Sequence, residues 1–163
     1  MCDFAAAAVQ CQSAKADIVF VVDSSRSICG SDSSCSNWQS VLGFVNAVIN
    51  QLNIGSANTR VGFVRFSSQA ATTNSFYLNT NQDRTRLTQA VSAVAYNTGR
   101  QFVGDLANAL IVARTEQFVS NRGDRVGVPN IVVVLMNGGI FASAPNVSLP
   151  FTYSYLYLFI VYS

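Results

Sequence analysis

The chain contains no histidine, and only 11% of its 163 residues are charged. Without histidine, the most common general base and the most common transition-metal ligand of proteins are both missing. A hydrolase that relies on a serine–histidine pair is therefore excluded. The charges are also balanced, with a net charge of +2. So small a net charge gives no indication of binding to nucleic acid or to an anionic membrane.

The cysteines, by contrast, are informative, and there are four of them: Cys2, Cys11, Cys29 and Cys35. No two are spaced as Cys-x-x-Cys, which argues against a zinc site or a thioredoxin-type redox site. Cys29 and Cys35 enclose a short polar segment that a disulfide could close, and an even number of cysteines favours an oxidising, extracellular setting. The pairing of Cys2 and Cys11 stays open. No clear signal peptide is recognisable in this sequence, because the apolar stretch 4–9 is short and follows no basic residue.

Residues 17–23 (DIVFVVD) form an unbroken run of β-branched and aromatic residues between two carboxylates. Such a run is typical of a strand that is buried on both faces in the middle of a parallel sheet. Asp23, Ser25 and Ser27 follow at alternate positions, where an open α/β sheet binds its ligands. One carboxylate and two hydroxyls suit Mg²⁺, Ca²⁺ or Mn²⁺ better than a soft metal. The same residues could also form only a capped loop that enters a helix.

The rest of the pattern predicts one α/β domain with a hydrophobic core, since half of the residues are hydrophobic. Ser36 and Asn37 are good caps for a first long helix. The other predicted elements, in chain order, are strands at 60–66 and 74–78, helices at 83–94 and 104–118, and a strand at 130–136. With the strand at 17–23, this order predicts a doubly wound, mostly parallel sheet with one antiparallel edge strand.

Two segments fall outside this pattern. Residues 1–16 are predicted to be a leader or linker, and residues 140–163 an atypical aromatic tail that is too short for the roughly 20 residues of a membrane span. The sequence also contains Arg122-Gly123-Asp124, the integrin-recognition tripeptide. Because it lies in an ordinary loop before a strand, coincidence is the favoured interpretation.

Residues 15–139 resemble a von Willebrand factor type A (vWA) domain. The resemblance is carried by residues 17–27 (DIVFVVDSSRS), the helix that contains Trp38, 60–66 (RVGFVRF), 96–110 and 132–138 (VVVLMNG). It implies a Rossmann-like sheet wrapped by helices, which in a complete domain continues beyond the fourth strand, so that this domain is predicted to be truncated at its C-terminus. The segment between Cys29 and Cys35 resembles type A domains of invertebrate matrix proteins, including those of shell and byssal threads.

The resemblance also implies a metal-ion-dependent adhesion site (MIDAS). In the family, this site combines Asp-x-Ser-x-Ser with a threonine from a second loop and an aspartate after the fourth strand. Asp23, Ser25 and Ser27 match the first part, whereas Gln101 and Asn137 stand where the threonine and the aspartate would be. Asp23 is then the only negatively charged ligand among the matched positions, and divalent affinity depends on ligand charge. We therefore expect weak binding of Mg²⁺ or Ca²⁺, or none.

Asp105 follows Gln101 closely and could replace the missing charge. A carboxylate at the start of a helix, however, is more often a cap.

By resemblance, the function is that of a secreted, non-enzymatic module of the extracellular matrix that binds protein. A collagen-like protein is one candidate partner, and neither nucleic acid nor a membrane span is expected. The alternative is a structural matrix spacer that has no metal-dependent ligand. A nucleotide-binding enzyme is disfavoured, because no glycine-rich phosphate loop follows the first strand.

Overall fold

The computed structural model describes residues 15–29, 35–68, 72–96, 105–137 and 156–162. Its strands are β1 (Asp17–Asp23), β2 (Arg60–Phe66), β3 (Thr73–Phe76), β4 (Asn130–Asn137) and β5 (Leu156–Tyr162). Its α-helices are α1 (Arg26–Cys29), α2 (Ser36–Gln51), α3 (Arg84–Ser92) and α4 (Leu106–Val112). A π-helical turn (Ala113–Gln117) continues α4, and a 3-10 turn (Ser120–Arg122) follows it.

The centre of the sheet is parallel, as the apolar runs predict. The strand order is β3-β2-β1-β4-β5, and β1 pairs in parallel with both β2 and β4. All seven residues of β1 are buried. Val21 lies opposite Val64 on one side and Val134 on the other, so β-branched side chains meet across the central strands and fill the pleated surface.

Helices cover both faces of this sheet. On one face, Phe20 and Val22 pack in a core with Trp38 and Leu42 of α2 and Leu87 of α3. On the other face, Val19 and Val21 form a second core, together with α4. The predicted Rossmann-like, mostly parallel fold is confirmed. No helix among the described residues is long and apolar enough to cross a bilayer.

Both edges of the sheet are antiparallel. β3 pairs with β2 and is the predicted antiparallel edge strand, although it spans Thr73–Phe76 and not 74–78. β5 pairs with β4 along its whole length, with Ile131 opposite Tyr162. The structure therefore adds a second antiparallel edge strand, taken from the segment that was predicted to be an atypical tail. Pairing satisfies the backbone groups that an uncovered β4 would expose.

The first long helix differs from its prediction at the amino end. α2 begins at Ser36 as expected, but Cys35 is the N-cap, with a left-handed φ of 48° and no capping hydrogen bond from its side chain. Cys35 also forms a disulfide with Cys29, and the Cα atoms of the two residues are 5.0 Å apart. The same covalent bond ties the end of the single-turn helix α1 to the start of α2.

A buried ion pair closes the opposite, amino end of the parallel strands. The Asp17 side chain is fully buried, and Nη2 of Arg125 lies 2.7 Å from its Oδ1. The guanidinium also donates to the carbonyl oxygens of Ala16 and Asn58. Arg125 thus ties the start of β1 to two neighbouring loops.

The Arg-Gly-Asp tripeptide is packed into the scaffold. The guanidinium of Arg122 lies 3.9 Å from the centre of the Tyr77 ring. Gly123 has a φ of 106°, and a Cβ there would stand 2.7 Å from the backbone nitrogen of Asn79. Oδ1 of Asp124 is buried. This packing supports coincidence as the origin of the motif.

Candidate metal-binding site

Three oxygen-bearing side chains converge at the carboxyl end of β1. The hydroxyls of Ser25 and Ser27 are 2.8 Å apart. The Ser27 hydroxyl lies 3.5 Å from Oδ2 of Asp23, while the Ser25 backbone N–H donates to Oδ1 of Asp23 at 2.7 Å. The chain thus turns tightly after β1, and this turn brings the alternate residues together.

The turn is anchored to the neighbouring strand. The backbone N–H of Ser24 donates to the Phe66 carbonyl at 2.7 Å, and its hydroxyl donates to the same oxygen at 3.1 Å. Asp23 and Ser25 are almost completely buried, with 1% and 0% of their surface exposed. The sheet itself therefore positions these two candidate metal ligands.

A tyrosine supports the turn from the helical side. The Tyr96 hydroxyl donates to the Ser25 carbonyl at 3.0 Å. The Tyr96 ring packs at 5.7 Å from the ring of Trp38, whose indole N–H donates to the Val94 carbonyl. Burial raises the pKa of Tyr96, the negative charge of Asp23 raises it further, and the charge of the exposed Arg26 opposes this rise. The phenol thus stays protonated and able to donate at neutral pH.

The remaining predicted site residues have different outcomes. Asp105 caps α4, because its Oδ1 accepts the backbone N–H of Asn108 at 3.0 Å. Gln101 lies outside the described residues. Asn137 is the last residue of β4, and since Leu135 lies opposite Val22, its backbone lies at the same sheet edge as Asp23.

Two further residues shape this edge and were not identified from the sequence. Tyr96 entered the sequence analysis only within the stretch 96–110 that resembles the family, and its hydrogen bond to Ser25 was not predicted. Ser67 follows β2 and is fully buried; its carbonyl accepts the backbone N–H of Asp105 at 2.6 Å, and its hydroxyl has no hydrogen-bond partner among the described residues. The parallel pairing of β1 with β2 could have indicated Ser67, since parallel strands end at a common edge.

The donor set fits a hard divalent cation. Carboxylate and hydroxyl oxygens are ligands that Mg²⁺ and Ca²⁺ accept, and water commonly completes their coordination. Asp23 supplies the negative charge and the two serines supply neutral oxygens. In the parts of the chain that the structure describes, no three Asp, Glu, Cys or His side chains group into a metal site. The arrangement is therefore that of a low-charge oxygen site.

The chain is similar to known proteins of one family. The family model of the von Willebrand factor type A domain matches residues 17–146. Chicken integrin alpha-1 is 31% identical over 122 residues, which are 75% of this chain and 39% of that protein. Mouse matrilin-3 is 31% identical over 129 residues, which are 78% of this chain and 25% of that protein. The chain thus spans well under half the length of either relative.

Solved structures show the same fold. Proximal thread matrix protein 1 from the mussel byssus superimposes with a TM-score of 0.70 at 23% identity, over 82% of this chain and 33% of that one. A second structure of that protein, described as having a zinc-occupied MIDAS motif, gives a TM-score of 0.69. From the family match, the resemblance in fold and the cluster after β1, this chain belongs to the von Willebrand factor type A domain family.

Proposed function

We propose that this chain is an extracellular, non-enzymatic module that binds a protein of the matrix at the carboxyl edge of its sheet. The observation that carries the proposal is the convergence of Asp23, Ser25 and Ser27 within hydrogen-bonding distance of one another. The Cys29–Cys35 disulfide supports an extracellular setting, because such bonds persist in oxidising compartments. The relatives, which include a collagen VI chain, make a matrix protein the expected partner, with a collagen-like one as a candidate.

We assign the cation-holding role to the same three side chains. Asp23 would supply the charged ligand, and the hydroxyls of Ser25 and Ser27 would supply neutral oxygens. A divalent cation held there would supply a Lewis-acidic centre that a carboxylate of the partner could bind. The chain's own contribution is to keep the three oxygens together and to hold Asp23 in a buried position, where its charge is poorly screened.

We expect the affinity for the cation to be weak. Ligand charge and site rigidity set divalent affinity, and weakly charged extracellular sites bind Ca²⁺ at about 10⁻⁴–10⁻³ M. Asn137 keeps an acceptor oxygen but lacks the charge of an aspartate. Mg²⁺, Ca²⁺ and Mn²⁺ suit an oxygen-only donor set best. Zinc is a further candidate, because the MIDAS of a protein with the same fold holds it.

Binding to immobilised fibrillar collagen tests the proposal, with biosensor measurements in Mg²⁺, in Ca²⁺ and in EDTA. We expect binding that EDTA weakens and that Asp23→Asn weakens to the same extent. Asp83→Asn is the matched control. It removes the same charge from an exposed cap of α3, where the new side chain can still accept the N–H of Arg86. Equal losses in both variants would argue against a role for Asp23.

A structural spacer is the alternative, favoured by the presence of Gln101 and Asn137 at the two matched positions. A spacer retains its fold without needing a cation. It predicts that EDTA changes neither partner binding nor the melting temperature. An EDTA effect on either quantity excludes the spacer.

A further inference from the structure

The three candidate metal ligands are not anchored equally firmly. Asp23 ends β1, and Ser25 is anchored by its own N–H to Asp23 and by Tyr96 at its carbonyl. Ser27 lies farther along, in α1, and is only partly buried. A helix of four residues is far below the about 12–15 residues at which isolated helices become even marginally stable. The position of the Ser27 hydroxyl therefore depends on what holds α1.

The carboxyl end of α1 is fastened to the start of α2. The disulfide joins Cys29, two residues after Ser27, to Cys35, which caps α2. Nδ2 of Asn37 donates to the Ile28 carbonyl at 2.8 Å. Ile28, Cys29 and Cys35 are all buried in the core that contains Trp38. The fastening is thus one covalent bond, one hydrogen bond and an apolar contact.

We propose that the Cys29–Cys35 disulfide is a positioning element of the cation site, holding the Ser27 hydroxyl beside Ser25 and Asp23. This inference rests on the proposed function. Opening the disulfide leaves Asp23 and Ser25 anchored by β1, Ser24 and Tyr96, but it removes the one covalent bond that fastens the end of α1 and so loosens the position of the third oxygen. The oxidised chain consequently binds a divalent cation more tightly than the reduced chain.

The expected size of the effect follows from other metal sites. Residues that orient a ligand typically change metal affinity about 10- to 100-fold when they are altered. Because only one neutral ligand of three is released here, we expect the lower end, about a 10-fold rise in Kd. Removing the Ser27 hydroxyl outright should have a similar effect.

A thermodynamic cycle tests the inference on the full chain. Mn²⁺ is titrated calorimetrically into the wild type, Ser27→Ala, the double variant Cys29→Ala/Cys35→Ala, and the triple variant. Positioning predicts a Kd about 10-fold higher in the first two variants and no further loss in the triple variant, since both changes remove the same contribution. Should the double variant fail to fold, the reduced wild type takes its place.

Two results would overturn the inference. One is an unchanged Kd in the double variant, and the other is additive losses in the triple variant, which indicate a general destabilisation. If the wild type binds no Mn²⁺, the metal part of the proposed function fails, and amide hydrogen exchange tests the fastening by itself. Faster exchange at Ser27 and Ile28 in the double variant, with β1 unchanged, supports it, whereas unchanged exchange refutes it.

Discussion

Gly62, in the middle of β2, has no room for a side chain. A Cβ there would lie 2.3 Å from Oε1 of Gln117, 3.1 Å from its Cδ and 3.4 Å from Cγ2 of Val19. The first distance is far inside van der Waals contact. The substitution Gly62→Ala therefore forces Gln117 to move.

Gln117 cannot move without losing other interactions. It is fully buried in the π-helical turn that follows α4. Its Nε2 donates to Oδ1 of Asn74 at 2.8 Å and to the Phe76 carbonyl at 3.0 Å. Overpacking of a core typically costs about 1–3 kcal/mol, and a buried polar group that loses its partner costs a similar amount. We therefore expect Gly62→Ala to lower the free energy of unfolding by about 2–4 kcal/mol.

Urea unfolding, followed by tryptophan fluorescence and circular dichroism, measures this effect. Gly43→Ala is the matched control, since Gly43 is exposed in α2 and a Cβ there meets nothing within 4 Å. Alanine is the better helix former, so this control should raise stability by about 0.5–1 kcal/mol. The two identical substitutions are thus expected to have opposite signs.

A double-mutant cycle assigns the cost to the contact itself. Gln117→Ala alone should destabilise, because it opens a cavity and leaves Asn74 and the Phe76 carbonyl without their donor. Combined with Gly62→Ala, the total loss should be smaller than the sum of the two by at least about 1 kcal/mol. A neutral Gly62→Ala, or strictly additive losses, would refute the reasoning.

Two other features of the scaffold and the site give predictions of their own. Arg125→Gln should lower the free energy of unfolding by about 3–5 kcal/mol, because it leaves the buried carboxylate of Asp17 unpaired. The same change at the exposed Arg114 should alter the free energy of unfolding by no more than about 0.5 kcal/mol. Urea unfolding midpoints measure both effects, and equal effects would contradict the prediction. Folding raises the pKa of Tyr96, so the unfolded chain loses the phenol proton at a lower pH than the folded chain does. The contribution of Tyr96 to the free energy of unfolding is therefore complete below pH about 10 and is lost as the pH rises through the pKa of the folded state. Tyr96→Phe should flatten the loss of stability between pH 9 and 11, and an identical slope in both proteins would argue against the shift.

The parts of the fold that follow from local pattern could be predicted from the sequence. β1 and β4 are apolar runs with no alternative but a buried strand, and the amphipathic spacing of α2 and α3 placed both helices. Asp23, Ser25 and Ser27 could be grouped because they alternate directly after β1. In each case, the determining interactions lie close together in the sequence.

The remaining features depend on contacts between distant residues. The cap of α2 is Cys35, which also forms the disulfide with Cys29, and no capping propensity predicts that choice. The π-helical turn after α4 carries Gln117, whose partners are more than forty residues away. Tyr96 and Ser25 are separated by 71 positions. Sequence patterns carry no information about such contacts until the topology is known.

The central claim is that Asp23, Ser25 and Ser27 hold a divalent cation. Calorimetric titration of the wild type and Asp23→Ala with Mg²⁺ and Ca²⁺ tests it most directly, with melting temperatures measured in the same buffers. The account predicts a Kd of about 10⁻⁴–10⁻³ M for the wild type and no detectable binding for Asp23→Ala. At a cation concentration ten times Kd, the wild type alone should gain about 1.4 kcal/mol of stability. The absence of both heat and stabilisation in the wild type, or equal values in the two proteins, would contradict the claim.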